Sequence, residues 1–293
     1  MIDLGLEGQL HVVAGAGGGG IGTMACVLLA RAGANVLAID RTALGCATAA
    51  EALEPSGGRH RVMQLDLDEA DALAAALERA SADAGPVRGL VNVVGGITSQ
   101  DLIAPLLADD AMAIFGRLMR FNTEPALAAS RAVARAMIGH RQGGSIVHVA
   151  SAAGLAGMPY GAGYAAAKAA LINLARTMAV EWGGAGIRVN AVAPGSIATA
   201  KIGRERFDEG GDEKDRAARA VIPLGRRGLP GDVAGVALFL LSDLAAYVSG
   251  QTIAVDGGML ARPPYNDADG LPVFMTDPEL RARLLRPGDG AEP

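Results

Sequence analysis

Short apolar runs alternate with longer helical segments along most of this 293-residue chain, and this alternation constrains the fold more than any other feature. Strands that alternate with helices of ten or more residues indicate βαβ units, whose helices cover both faces of a parallel sheet. Residues 146–149 are almost continuously apolar, as expected of a strand buried on both sides. We therefore predict a doubly wound α/β fold of about seven parallel strands, at 9–14, 35–39, 61–65, 90–94, 145–150, 187–192 and 252–255, with helices at 22–32, 42–53, 69–82, 106–137, 164–182 and 232–241.

A change in composition near residue 260 divides the chain. Residues 261–293 contain six of the fourteen prolines, so apart from a short helix at 277–285 they are not expected to form regular structure. We predict a single domain over 1–260 and a proline-rich C-terminal extension over 261–293. The extension is either a solvated tail or an arm that docks on a neighbouring subunit through Tyr265, Val273, Phe274 and Met275.

Charge and composition exclude several classes of partner. A formal net charge of −5 gives no electrostatic reason to expect a nucleic acid or an anionic membrane. No apolar run approaches the roughly 20 residues that a membrane span needs, and the N-terminus lacks the features of a signal peptide. The two cysteines, Cys26 and Cys46, lack metal-ligand spacing, and the four histidines do not cluster. These features predict a cytoplasmic protein with no catalytic metal and a small-molecule substrate.

A glycine-rich turn, 14–22, lies between the first predicted strand and the first predicted helix. Glycines at this position let the backbone turn tightly and approach a pyrophosphate at the helix N-terminus. Asp40 follows the second strand, at the spacing from the turn that suits a contact to the adenosine ribose. Because a carboxylate there would repel a 2′-phosphate, it favours NAD over NADP, although the adjacent Arg41 could tolerate a phosphate.

Tyr164 and Lys168 are four residues apart at the start of the long fifth helix, and so they share one helix face. A free phenol has a pKa near 10, and a neighbouring ammonium favours the phenolate. Tyr164 is therefore a candidate general acid and base for a hydroxyl or carbonyl oxygen. Ser151 follows the fifth strand, at the sheet edge where open α/β sheets bind ligands, and its hydroxyl could orient that oxygen.

In order and spacing, these motifs resemble the short-chain dehydrogenase/reductase family over about residues 8–259. Ser151, Tyr164 and Lys168 match three members of the family's catalytic tetrad, and Asn122 matches the fourth. Four residues separate Gly15 from Gly20 where the family usually has three, so we expect one glycine to be looped out. Further matches are Asp66-Leu67, Asn92-Val93-Val94-Gly95, Pro194-Gly195-Ser196-Ile197-Ala198-Thr199, Gly250-Gln251 and Asp256-Gly257-Gly258.

The resemblance implies a Rossmann-type domain over 1–260 that binds a nicotinamide cofactor and carries the catalytic tetrad. In the family, the residues that match Ser151 and Tyr164 hold the substrate oxygen and transfer the proton. The residue matching Lys168 lowers the tyrosine pKa and binds the nicotinamide ribose, and the one matching Asn122 holds a water in a proton relay. A homotetramer or homodimer is also implied. The predicted cofactor contacts are Gly15, Gly20, Ile21, Asp40, Asp66, Leu67, Asn92, Gly95, Tyr164, Lys168, Pro194, Gly195, Ile197 and Thr199.

Three functions are compatible with these motifs. The first is an NAD-dependent oxidoreductase that transfers a hydride between nicotinamide and a secondary alcohol or ketone. Apolar residues around 96–97, 153–154 and 158–160 suggest a hydrophobic or cyclic substrate, and the charged run 204–219 lies where the family carries a substrate-covering loop. The second is a 3-oxoacyl thioester reductase, against which Asp40 argues. The third is a non-catalytic dinucleotide sensor, which has no need of the tetrad.

Overall fold

A single seven-stranded sheet forms the centre of the protein, in the strand order β3-β2-β1-β4-β5-β6-β7. The computed structural model describes residues 2–97, 105–199, 221–261 and 276–284. Every neighbouring pair of strands is parallel, which confirms the predicted doubly wound fold. The strands are β1 Leu10–Ala14, β2 Asn35–Asp40, β3 Arg61–Gln64, β4 Val87–Asn92, β5 Gly144–Val149, β6 Ile187–Pro194 and β7 Thr252–Val255.

Helices follow the strands along the chain. Most of their bounds lie within two residues of the prediction, but α4 begins five residues later than expected and continues through Pro125. The helix predicted at 277–285 is present at Pro278–Leu284. The described helices are α1 Ile21–Arg31, α2 Ala43–Leu53, α3 Ala70–Ala84, α4 Ala111–His140, α5 Ala162–Trp182, α6 Pro230–Leu241 and α7 Pro278–Leu284.

Strand β4 begins three residues before its predicted start, because its first half does not look like a buried strand. Arg88 and Gly89 interrupt the apolar run there. In the sheet, Gly89 pairs with His11 of β1, and a side chain on Gly89 would collide with the His11 ring. The glycine therefore makes room for a buried neighbour rather than ending the strand.

Two hydrophobic cores lie on opposite faces of the sheet. Alternate residues of β1 supply both cores, as the two-residue period of a strand requires. Leu10 and Val12 pack in the core that also contains residues of α3, α4 and α5. Val13 packs in the other core, together with residues of α1, α2 and α6.

The strand order reverses between β1 and β4, and this junction positions the candidate site. In open α/β sheets, ligands bind outside the carboxyl ends of the strands at such a switch point. The glycine-rich turn follows β1, and the segment after β4 lies beside it. We call the space outside these two strand ends the crevice.

Several sequence predictions concern other parts of the molecule. Among the described residues, no helix is long and apolar enough to cross a membrane. No cluster of His, Cys, Asp or Glu in the described ranges is arranged to hold a metal ion. Cys26 is buried and Cys46 half-buried, and both are free thiols. The proposed docking residues of the extension and the charged run 204–219 lie outside the described residues.

Candidate active site

The glycine-rich turn leaves β1 by a tight bend that is held to β2. Gly15 has a φ of +82°, and the backbone N–H groups of Gly15 and Ala16 both donate to the carbonyl of Ile39. A side chain on Gly22 would collide with the Gly15 carbonyl, so the start of α1 packs directly on the bend. These contacts explain why the first and last glycines of the turn carry no side chain.

The long turn protrudes at Gly18 and Gly19, which are exposed. The Thr23 hydroxyl closes this loop, because it accepts a hydrogen bond from the Gly19 N–H at 3.1 Å and donates to the Ala16 carbonyl at 2.6 Å. Gly17 is buried, and a side chain there would collide with the backbone of Gly45 in α2. The turn therefore accommodates its extra residue by looping outward while Gly17 stays packed.

The Asp40 carboxylate lies against the same turn. One oxygen accepts a hydrogen bond from the Gly17 N–H at 3.0 Å. The other accepts bonds from the Thr42 N–H at 3.0 Å and the Thr42 hydroxyl at 2.9 Å. Each carboxylate oxygen has two lone pairs, so acceptor capacity remains for a further donor such as a ribose hydroxyl.

The N-terminus of α1 fits the phosphates of a dinucleotide. Its N-cap is Gly20, no side chain of the described ranges caps the first turn, and that turn contains no acidic residue. The first N–H groups of the helix are therefore available to an anion, which the helix dipole also favours. A side chain on Gly20 would come within 3.2 Å of Thr199, so the turn and the segment after β6 enclose a narrow space. Ile21 is the first residue of α1 and directly follows Gly20.

Asn122 of α4 fixes the chain that follows β4. Its side-chain oxygen accepts from the Gly96 N–H at 2.8 Å, and its nitrogen donates to the Gly96 carbonyl at 3.0 Å. The same nitrogen also donates to the Leu118 carbonyl, one turn earlier in α4, at 3.0 Å. Gly95 has a φ of +107°, and a side chain there would collide with the Asn122 amide. The described bonds of Asn122 thus shape the crevice wall, while the water implied by the family stays a prediction.

Ser151, Tyr164 and Lys168 come together at the carboxyl end of β5. Ser151 caps the short helical turn after β5, accepting a hydrogen bond from the Ala153 N–H at 3.2 Å, and its hydroxyl lies near the Tyr164 phenol. The Lys168 Nζ donates to the Val149 carbonyl at 3.1 Å and lies 5.7 Å from the centre of the Tyr164 ring. The sequence spacing therefore corresponds to a physical cluster of hydroxyl, phenol and ammonium groups.

Burial dominates the electrostatics of this cluster. Burial raises the pKa of the Tyr164 phenol, and the polar interaction with the Ser151 side chain offsets part of that rise. Burial also lowers the pKa of Lys168 to about 8. The expectation that Lys168 lowers the pKa of Tyr164 is not met in the protein alone, because desolvation disfavours both charged groups. The phenol is consequently protonated at neutral pH.

The remaining predicted cofactor residues have different surroundings. The Asn92 side chain is buried and donates to the Ala126 carbonyl at 3.0 Å, so it ties β4 to α4. Asp66 is exposed after β3, whereas the Leu67 side chain is buried in the core.

Gly195 follows β6, donates its N–H to the Val255 carbonyl at 3.0 Å, and packs on Asp256. Pro194 ends β6, and Ile197 is buried and forms a bridge to Gly228.

Sequence reasoning missed several residues that shape the site. Gly17 and Thr42 bind Asp40, and Gly45 provides the space for that arrangement. A glycine near the start of a helix indicates close packing, so Gly45 could have been noticed. Thr23 acts through its hydroxyl, which binds the backbone of the glycine-rich turn. Gly96 acts through its backbone, which leaves no residue-type signal.

His148 is a packed core histidine, as its position within β5 suggested. It is fully buried, its ring nitrogens lie 3.4 Å from Asn92 and from Ser130, and burial lowers its pKa to about 4. The nearby charge of Lys168 contributes to this lowering. His148 therefore packs between β4 and α4 inside the core.

Comparison with known proteins identifies the family. A family model described as "Enoyl-(Acyl carrier protein) reductase" matches residues 15–260, which is most of the chain. A solved structure of 7α-hydroxysteroid dehydrogenase, complexed with NADH and 7-oxo glycochenodeoxycholic acid, is 32% identical. The match covers 86% of this chain and 94% of that one, with a TM-score of 0.76. The chain belongs to the short-chain dehydrogenase/reductase family. The family's cofactors are nicotinamide dinucleotides, and its members include dehydrogenases that act on alcohols.

Two relatives show the range of activities among similar short-chain dehydrogenases/reductases. "Inactive 2-(S)-hydroxypropyl-CoM dehydrogenase 2" of Xanthobacter autotrophicus is 41% identical, over 79% of this chain and 97% of the relative. The 3-oxoacyl-[acyl-carrier-protein] reductase of Thermotoga maritima is 36% identical, over 87% of this chain and 99% of the relative. Overall similarity thus does not separate catalytic from inactive members, and the local geometry of the site must carry the functional argument.

Proposed function

We propose that this chain is an NAD-dependent oxidoreductase that interconverts a secondary alcohol and a ketone. The observation that carries the proposal is the cluster in which the half-buried Tyr164 lies beside the buried Lys168 ammonium and near the Ser151 hydroxyl. A phenol in such a position can donate a proton to a carbonyl oxygen or accept one from a hydroxyl. A bound nicotinamide dinucleotide supplies or accepts the hydride.

The chain's own residues move the proton and orient the oxygen. In the reductive direction, the protonated Tyr164 donates its phenolic proton to the substrate oxygen while the Ser151 hydroxyl holds that oxygen. The Lys168 ammonium stabilises the phenolate that remains. Oxidation of the alcohol requires the phenolate at the start, so it is favoured at higher pH. Asn122 acts as a positioning residue through its two bonds to Gly96.

The preference for NAD rests on Asp40. Its carboxylate lies at the end of β2 and contacts the glycine-rich turn, so a 2′-phosphate in this place would meet a negative charge. The proposed cofactor contacts are those of the sequence analysis, from Gly15 to Thr199. The structure of the related hydroxysteroid dehydrogenase was determined with NADH, which supports NAD as the cofactor here.

A hydrophobic or cyclic substrate is proposed from the apolar residues beside the cluster. Ala153, Gly154 and Met158 are half-buried in the segment that joins Ser151 to α5. The 7-oxo steroid named with the related dehydrogenase is a cyclic ketone, which supports the same class.

Reduction of a 3-oxoacyl thioester is the second candidate. The similarity to the Thermotoga maritima reductase and the description of the family model favour it, whereas Asp40 argues against the NADPH expected of that activity. A non-catalytic dinucleotide sensor is the third candidate, favoured by the similarity to an inactive relative. The assembled Ser151–Tyr164–Lys168 cluster argues against a sensor.

A substrate screen distinguishes the three functions. Purified protein is incubated with NAD or NADP and a panel of cyclic, aryl and polyol alcohols, and with NADH or NADPH and acetoacetyl-CoA, while absorbance at the NADH wavelength is followed. We expect NAD reduction with a cyclic or aryl alcohol. Faster NADPH oxidation with acetoacetyl-CoA would favour the thioester reductase. Dinucleotide binding without turnover of any compound would favour the sensor.

Assembly as a homotetramer or homodimer and a cytoplasmic location stay predictions. Sedimentation equilibrium of the full chain would measure the oligomeric state directly.

A further inference from the structure

Arg41 and Phe121 form a contact between two parts of the fold that are distant in sequence. The guanidinium carbon of Arg41 lies 5.3 Å from the centre of the Phe121 ring, within the range of a cation–π interaction. Arg41 directly follows β2, and Phe121 lies in α4, the next described helix after β4. The Arg41 side chain is exposed and Phe121 is half-buried, so the contact lies on the outer side of the molecule.

The position of this contact follows from the strand order. Strand β1 lies between β2 and β4, and the glycine-rich turn leaves its carboxyl end. A side chain that reaches from the end of β2 to the helix after β4 must therefore pass across the end of β1. The Arg41–Phe121 contact thus bridges the crevice at its adenosine side, close to Asp40.

Hydrogen bonds beside the crevice fix the backbone at or next to both residues. The Arg41 carbonyl accepts a hydrogen bond from the Gln64 side chain of β3 at 3.2 Å. Phe121 is the neighbour of Asn122, which is bonded to Gly96. Neither side chain needs a ligand to fix its backbone, so the contact is formed before any dinucleotide binds.

We propose that Arg41 and Phe121 form a clasp over the adenosine end of the crevice, which must open each time a dinucleotide binds or leaves. The inference rests on the proposed dinucleotide binding but not on the choice between NAD and NADP. A clasp that re-forms over the bound cofactor controls both the association and the dissociation rate constants and affects the dissociation constant little. A residue that contacted the cofactor directly would instead change the dissociation constant.

The test uses the full chain and stopped-flow fluorescence of NADH. Arg41→Met removes the cation but keeps the length of the side chain, and Phe121→Leu removes the ring. An exposed cation–π contact corresponds to an increase of about two- to fivefold in each rate constant when either partner is lost. Arg79→Met is the matched control, since it removes an exposed arginine of α3 outside the crevice. Phe121→Tyr keeps a ring and should preserve the wild-type rates.

The double variant identifies the clasp as a unit. We expect Arg41→Met with Phe121→Leu to be no faster than either single variant, because one contact is lost in all three. Unchanged rate constants, additive effects, or a changed dissociation constant with an unchanged association rate would each overturn the clasp. If Phe121→Leu does not fold, the comparison of Arg41→Met with Phe121→Tyr decides in the same way. Failure of the wild type to bind NADH or NADPH would overturn the proposed function and the clasp together.

Discussion

The Lys168 Nζ lies 5.7 Å from the centre of the Tyr164 ring while it donates a hydrogen bond to the Val149 carbonyl at 3.1 Å. Lys168 is buried and Tyr164 half-buried, and the partial loss of solvent pushes each toward its neutral form. The pair therefore starts from a protonated phenol and an ammonium whose pKa is about 8. This starting state suits proton donation to a ketone and sets the pH dependence of the reaction.

Ketone reduction should decline at alkaline pH. Below about pH 8 Lys168 is protonated and stabilises the phenolate that forms, whereas above that pH its charge is lost. We expect kcat/KM for reduction to be level from pH 6 to 8 and to fall about tenfold per unit at higher pH, as titration of one group requires. Lys168→Arg should remove this fall, since a guanidinium keeps its charge. A profile that stays level to pH 10 in the wild type would contradict this role.

Cofactor preference should depend on Asp40. Replacing it with Ala removes the negative charge that disfavours a 2′-phosphate, and it also releases the N–H groups of Gly17 and Thr42. We expect the ratio of kcat/KM with NADH to that with NADPH to fall by at least about tenfold, the effect of roughly 1.4 kcal/mol. A wild-type preference for NADPH would show that the interpretation of Asp40 is wrong.

Two neighbouring glycines offer a matched pair for the glycine-rich turn. A side chain on Gly17 would collide with the Gly45 backbone, whereas Gly18 has open space around its Cβ position. Gly17→Ala should lower the free energy of unfolding by about 1–3 kcal/mol, the usual cost of overpacking, and should weaken NADH binding. Gly18→Ala should leave both quantities near wild type. Equal effects of the two substitutions in urea denaturation would refute the packing of Gly17 on α2.

His11 should make the protein sensitive to acid. Its ring is buried, neither nitrogen has a hydrogen-bond partner among the residues that the structure describes, and burial lowers its pKa to about 3. Between about pH 3 and 6.5 the unfolded state binds this proton and the folded state does not. The free energy of unfolding therefore falls as the pH falls, by about 1.4 kcal/mol per unit.

Urea denaturation at pH 7 and pH 5 measures this effect. Relative to wild type, His11→Leu should gain about 2 kcal/mol of stability between the two pH values, because it lacks the group that must bind a proton. His140→Leu, at the exposed end of α4, serves as the control. Parallel losses of stability in wild type and His11→Leu would disprove the contribution of His11.

The sequence alone predicted the sheet and helices because their signals are local. Alternating strands and helices dictate a parallel sheet, and the spacing of Tyr164 and Lys168 dictates a shared helix face. Element boundaries were less predictable where a neighbour decides them. Strand β4 includes Arg88 and Gly89 because Gly89 packs against His11, a contact between strands that are far apart in sequence.

The details of the site depend on packing that sequence patterns do not specify. The hydrogen bonds to Asp40 require Gly17 to approach Gly45, and this depends on how α2 packs on the glycine-rich turn. Asn92 is predicted at the cofactor, and the sequence gives no sign that its buried side chain also donates to the Ala126 carbonyl of α4. The direction of the Tyr164 pKa shift could not be predicted from a nearby lysine, because burial is its largest cause.

The most direct test of the central claim is Tyr164→Phe, which removes only the phenolic oxygen. With a substrate identified by the alcohol screen, kcat and the NADH dissociation constant are measured for this variant and for wild type. The account predicts that kcat falls by at least about 100-fold, the lower range of general acid–base catalysis, while NADH affinity stays nearly unchanged. Full turnover by Tyr164→Phe would contradict the assignment of Tyr164 as the proton-transferring group.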